Sequence, residues 1–406
     1  MHSINRWKIA AFANFCVAAI IGLLLRSVPF VDMPWLNFRH MTHAHSHAAM
    51  MGWLYMSVFG LILHDFLPDT ERRKPKYARL FGLLQLAVIG MVVSFPFQGY
   101  GAVSITFSAI HLFGSYAFVG MVWKHLSHTS EQPRLMLRTA FVLMIFSNLG
   151  IYALGPATAI FGRFSNYYDL CIQFFLHFQF QGWFFFVVMA LFLQRTHSTG
   201  KQLGRGTFRL LYVLMLVACF GMMALPTAKY TGLTWLLPLN TIGSLAQLAA
   251  VLIIVRFIAS LSSDASKVHS LVRLSVWVVV AGLLLKSIGQ VALSWPNIAL
   301  LPMAVRPLVI GFIHLLLLGN VSFAIIGMFI MNGQLNAEHK AVKTGSWLLL
   351  SGLCITELLL FAQGIIALNG LSGYSFFDEG LLVGSILLLM GVLALFLSSV
   401  QKYVLN

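Results

Sequence analysis

The sequence predicts an all-α polytopic membrane protein: twelve transmembrane helices in one domain over residues 1–406, arranged as three four-helix units about a pseudo-threefold axis. Three observations point to this class. A mean hydropathy of +0.87, with 59% hydrophobic and 9% charged residues, leaves too little polar surface to coat a soluble core. Apolar runs of about twenty residues recur along the chain, each long enough as a helix to cross roughly 30 Å of hydrocarbon. They are continuous rather than alternating, which excludes a barrel and leaves helix as the only state that satisfies the backbone in lipid. Finally, with a cytoplasmic N-terminus, 20 of the Lys and Arg residues fall inside and 5 outside, the asymmetry expected of twelve spans with both ends in the cytoplasm. The net charge of +15 is thus a topology signal, and nucleic acid is not an expected partner.

The runs are centred near residues 17, 56, 88, 113, 146, 181, 217, 248, 281, 318, 357 and 390, and are numbered spans 1 to 12. Span 1 follows the basic start Met1-His2-Ser3-Ile4-Asn5-Arg6-Trp7-Lys8 and continues to Leu25 without a small-residue cleavage site, so it reads as a span rather than a signal peptide. Span 2 opens on Thr42-His43-Ala44-His45-Ser46-His47. The basic loop from Arg72 to Arg79 leads into spans 3 and 4, and His111 lies in span 4. Spans 5 and 6 follow, span 6 carrying His177; spans 7 and 8 contain no histidine. Span 9 holds Lys286, span 10 His314 and span 11 Glu357, and span 12 runs into Lys402. Connections are short and no soluble domain interrupts them. The four cysteines (Cys16, Cys171, Cys219, Cys354) lie singly in or beside apolar spans without a CxxC, which fits small core residues rather than ligands.

Three segments repeat. His47, His177 and His314 each precede a glycine by five positions (Gly52, Gly182, Gly319), at separations of 130 and 137 residues. They fall in spans 2, 6 and 10, which is the basis for expecting three four-span units. On the expected topology His47, His111, His177 and His314 share the outer layer of the bilayer, whereas His64 belongs to the inner end of span 2. One such histidine reads as a hydrogen bond to a neighbouring helix; four at one level point to metal or haem ligation. The glycines permit close approach by a flat macrocycle or by another helix. Within span 2, helical spacing aligns His43 with His47 and turns His45 elsewhere. His47 is the main ligand candidate, His43 an accessory one, and His45 reads as a solvated interfacial residue.

These residues resemble the twelve-helix catalytic subunit of the haem–copper oxidase superfamily. His47-Ala48-Ala49-Met50-Met51 looks like the family's His-Ala-x-x-Met at the low-spin haem ligand. His314 precedes Phe323-Ala324-Ile325-Ile326-Gly327 as the family's low-spin haem His precedes Phe-Ala-Ile-Met-Gly. Gly22-Leu23-Leu24-Leu25-Arg26 resembles the apolar run ending in Arg near that haem. The sequence also departs from the family. Phe312 stands where the high-spin haem ligand is expected, Phe178-Gln179-Phe180-Gln181 replaces Pro-Glu-Val-Tyr, and span 7 lacks the copper-site His-His. The resemblance therefore implies a low-spin, bis-His b-type haem on His47 and His314, with Arg26, Arg306 and Lys286 available to its propionates. Lys286 could equally snorkel to the surface, and Arg306 could mark a helix end. His111 and His177, with His43, are candidates for a second haem or copper site, against separate hydrogen-bonded roles. Glu357 reads as a proton-path residue or an interhelical hydrogen bond; Asp378 and Glu379 read as solvated.

Three function classes follow. The first is a respiratory-type redox protein of a bacterial inner membrane, an oxidoreductase in electron transfer or small-gas (oxygen, nitric oxide) chemistry, drawing electrons from quinol or a cytochrome c. The second is a non-catalytic haem sensor or an assembly subunit beside other respiratory subunits. The third is a metal-ion transporter, its entrance lined by the histidines of residues 43–47.

Overall fold

The computed structural model describes residues 2–261, 268–295, 299–300, 305–371 and 375–404; Lys267, counted above among the inner cations, lies outside them. Among the described residues there is no strand. Twelve helices are long and apolar enough to cross a membrane: Arg6–Ser27, Phe38–Phe66, Pro75–Gln98, Ala102–Trp123, Glu131–Phe161, Asn166–Ser198, Arg205–Thr231, Thr234–Ser260, Ser270–Ala292, Arg306–Met331, Lys340–Leu368 and Phe376–Gln401. They are spans 1 to 12 in order. The chain is an integral membrane protein of the all-α class, as its hydropathy requires.

Burial separates the spans into two sets. In the most apolar window of spans 2 and 6, 72% of residues are buried, and in span 10 61%; no other span exceeds 44%. The three spans that carry the repeat histidines are therefore the most enclosed ones. Among the described residues, the same spans alone change helical register. A π-helical segment runs over Ala48–Tyr55 in span 2, Phe178–Phe184 in span 6 and Leu315–Ser322 in span 10. Each begins at the residue after His47, His177 or His314. The internal repeat thus has a backbone counterpart: a wide turn with i→i+5 bonding that is rare in helices and concentrates at functional sites.

The glycine of each copy lies inside its π segment, and in the first two copies the close approach it permits is to a neighbouring helix. A Cβ on Gly52 would come within 2.8 Å of the Asn14 Cβ in span 1, and one on Gly182 within 2.9 Å of the Leu143 Cβ in span 5. The tryptophan that follows is buried against the same preceding span. Trp53 stacks on Phe15 (ring centroids 4.4 Å apart) and Trp183 on Phe141 (5.8 Å).

The chain forms two compact units. One comprises Met1–Ser127, Ser270–Val272 and Ile325–Asn406. Spans 1 to 4, 11 and 12 belong to it, and span 12 packs on spans 11 and 1. Its interior is aromatic, with Phe12, Trp53, Phe59 and Phe118 almost fully buried. A reciprocal amide pair joins Asn14 and Gln85 (2.9 Å in both directions), and Asn14 Nδ2 also donates to the Gly52 carbonyl of the π segment at 3.0 Å. The other unit comprises His128–His269 and Arg273–Ala324. There, Gly221 and Gly243 bring spans 7 and 8 into backbone contact, and Gly150 brings span 5 against the Cys171 carbonyl of span 6.

Outside the spans, the loop between spans 2 and 3 closes on Glu71. Its carboxylate pairs with Lys74, with Lys76 at 2.6 Å and with His125 at 3.1 Å, and accepts from the Tyr77 hydroxyl at 3.2 Å.

Candidate functional site

Span 2 begins with Asn37, whose side chain accepts from the His40 backbone N–H and caps the helix. Four-residue spacing then places His43 and His47 on one face, as expected. Both rings lie against Phe95 and Tyr100, with His47 4.4 Å from Phe95 and His43 4.7 Å from Tyr100 between centroids. His47 Nδ1 is 2.8 Å from the His43 carbonyl oxygen. A carbonyl only accepts, so Nδ1 carries the proton and Nε2 keeps its lone pair. A backbone carbonyl holding Nδ1–H is the usual outer support of a metal-ligating imidazole.

His45 overturns its expected role as a solvated residue. Its Nδ1 donates to the Ala18 carbonyl of span 1 at 2.8 Å, and its ring fills the space over Gly22, where a Cβ would meet it at 3.0 Å. The cause is the same four-residue geometry: turning away from His43 and His47 directs His45 onto the adjacent helix. Arg26, in the last turn of span 1, lies within electrostatic range of it.

His111 is buried in span 4, packed edge-on against Tyr55 (4.8 Å) and hydrogen-bonded to the Met51 backbone. Its Nε2 is buried with no hydrogen-bond partner among the described residues. His47 and His111 thus both adjoin the span 2 π segment, His47 at its start and His111 through its bond to Met51.

The second unit presents the opposite ring orientation. His177 Nε2 lies 2.7 Å from the Cys219 carbonyl of span 7, so this nitrogen is the donor and is already used. His177 therefore fits a hydrogen-bonded role between helices better than the ligand role expected of it. Next to it, Lys286 departs from the snorkelling alternative. Its side chain is buried, 2% exposed, and Nζ donates to Gln181 Oε1 in the span 6 π segment at 2.7 Å, with the Phe185 ring 5.6 Å away. Nothing in the composition could pair Lys286 with a residue 105 positions earlier; the only trace was a glutamine inside an apolar run. Asn320, buried in the span 10 π segment with both amide atoms unpartnered among the described residues, was likewise missed.

His314 closes the regular helix Arg306–His314 and opens the span 10 π segment, and Arg306 stands at the first turn of that helix. Among the described residues no group of three or more His, Cys, Asp or Glu converges as a metal-holding cluster. Glu357 does not make the expected interhelical hydrogen bond: the residue is 8% exposed, and neither carboxylate oxygen has a partner among the described residues. Of the cysteines, Cys16 and Cys219 are buried, Cys171 is half-buried and Cys354 is exposed.

Compared with known proteins, the chain matches no family model and no curated protein.

Proposed function

We propose that this chain is a membrane haem b protein similar to the catalytic subunit of haem–copper oxidases, with His47 and His314 as axial imidazoles and a role in respiratory-type electron transfer or small-gas redox chemistry. The observation that carries the reading is the register change that begins at His47, His177 and His314 alone, in the three most enclosed spans. A π turn shifts the side chains after it relative to those before it, and such insertions recur where a helix serves a bound group.

The residues fit a b-type haem at His47 on chemical grounds. Its Nδ1 proton is committed to the His43 carbonyl, which leaves the Nε2 lone pair for iron and fixes the plane of the ring. Phe95 and Tyr100 lie against the ring. When bound between two imidazoles, the iron supplies one-electron redox chemistry at a potential set by ligands and surroundings. Arg26, Arg306 and Lys286 are the cations available to propionates. His111, His43 and His177 are the remaining candidates for a second haem or copper; in the ring orientation observed, His177 would offer Nδ1. An electron donor of quinol or cytochrome c type, other respiratory subunits, a bacterial inner membrane and cytoplasmic ends belong to the same reading, the last supported by the Lys and Arg distribution.

The test is haem stoichiometry in the purified protein. Wild type is expected to carry haem b, and His47→Ala and His314→Ala are each expected to lose most of it while His45→Ala keeps it. Equal haem content in all four proteins would remove both ligand assignments.

A further inference from the structure

The third copy of the repeat differs from the other two at one buried position. Six residues after the repeat histidine, copies one and two place Trp53 and Trp183, each buried against an aromatic ring of the preceding span. Copy three places Asn320 there. Its Oδ1 lies where a Cβ on Gly282 would stand, so the amide presses on span 9 where only a glycine leaves room. A large apolar contact has been exchanged for a polar group that is 4% exposed and finds no hydrogen bond among the described residues. Packing alone gives no reason for this exchange, since a buried unpaired amide is unfavourable.

Lys286 stands one helical turn after Gly282, on the same face of span 9. Its ammonium has three donors and, among the described residues, one hydrogen-bond acceptor, Gln181 Oε1; no carboxylate pairs with it there. The π segments of spans 6 and 10, which carry Gln181 and Asn320, pack against each other in the same unit. A buried cation with an amide relay on one side and an unsatisfied amide one turn away lacks only a counter-charge.

We propose that Lys286, Gln181 and Asn320 form a buried site for a single carboxylate or similar small oxyanion. Lys286 supplies the charge, Gln181 holds the ammonium in place, and the Asn320 amide N–H donates to a ligand oxygen. The oxyanion has two chemical sources: a free ligand such as formate or nitrite, or the carboxylate side chain of a bound cofactor, which rests on the haem reading above.

Two arms separate them. In the first, thermal unfolding of the purified full chain in detergent is followed against formate and nitrite, with chloride at matched ionic strength as control. A free-ligand site raises the wild-type midpoint in a saturable way, and Lys286→Met and Asn320→Leu weaken the apparent affinity by about tenfold or more, the scale of a lost charge-assisted hydrogen bond. In the second, the haem content and midpoint potential of the same proteins are measured. A cofactor carboxylate leaves wild type indifferent to free anions, while Lys286→Met loses haem or shifts its potential. An anion response in protein that never carries haem would uphold this site and remove the haem reading. If wild type ignores both anions and Lys286→Met and Asn320→Leu leave haem content and potential unchanged, or no haem is present, the proposal is overturned. Should Lys286→Met fail to fold, Asn320→Leu alone carries the test, because it removes no charge.

Discussion

His47 and His177 look alike in the repeat and differ in which ring nitrogen is hydrogen-bonded. His47 spends Nδ1 on a carbonyl of its own helix, and His177 spends Nε2 on a neighbouring span. Sequence could give the alignment of His43 with His47 because it follows from helical pitch, whereas the tautomer depends on an acceptor 42 residues away for His177 and was not legible. His45 shows the same limit: the direction in which it points was clear, but the carbonyl it meets was not. His45→Ala is expected to lower stability by about 1 kcal/mol, the worth of one hydrogen bond, in chemical unfolding at unchanged haem content. Glu71 gives a pH signature outside the membrane. Hydrogen bonds from Lys74 and Lys76 and the nearby His125 pull its carboxyl from 4.5 down to about 2. Because the folded value is the lower one, its stabilisation is complete above about pH 4.5 and disappears as the pH falls towards 2. Glu71→Gln is expected to flatten the loss of melting temperature across that window; an unchanged acid slope would contradict the pairing. Glu357, inside span 11, is buried without a hydrogen-bonding partner among the described residues. Glu357→Gln keeps its shape and removes the charge, so its melting temperature is expected to equal or exceed wild type.

At the scale of elements, all twelve spans were legible, because hydrocarbon forces each crossing into a continuous apolar run. The π segments were not, since a change of hydrogen-bond register needs no change in composition. Their only trace was the five-residue spacing from histidine to glycine, and that spacing reflects the packing of the wide turn on the preceding span. Gly182 tests this. A Cβ there meets Leu143 at 2.9 Å, so Gly182→Ala is expected to cost about 1–3 kcal/mol through overpacking. Adding Leu143→Gly removes the Cβ that it meets, and the double variant is expected to lose less than the sum of the two single losses in equilibrium unfolding. Additive losses would show that the glycine serves something other than this contact.

For the whole molecule, the membrane class followed from hydropathy alone, and the three-copy pattern of histidines from spacing; which groups meet in the folded chain did not, because the polar contacts that matter join distant spans. The side of the membrane follows from charge. An even number of crossings would put both ends on one side, and on the proposed topology the Lys and Arg bias assigns that side to the cytoplasm, so reporter fusions after residues 128 and 406 are expected to read as cytoplasmic. Opposite sides would mean that one apolar helix does not cross. Whether the three enclosed spans were built around a haem is decided by the absorption spectrum of the purified protein, oxidised, reduced, and reduced under carbon monoxide. The expected result is a sharp Soret band with split α and β bands on reduction, insensitive to carbon monoxide because both axial positions are held by imidazole. A colourless protein would contradict the haem assignment outright.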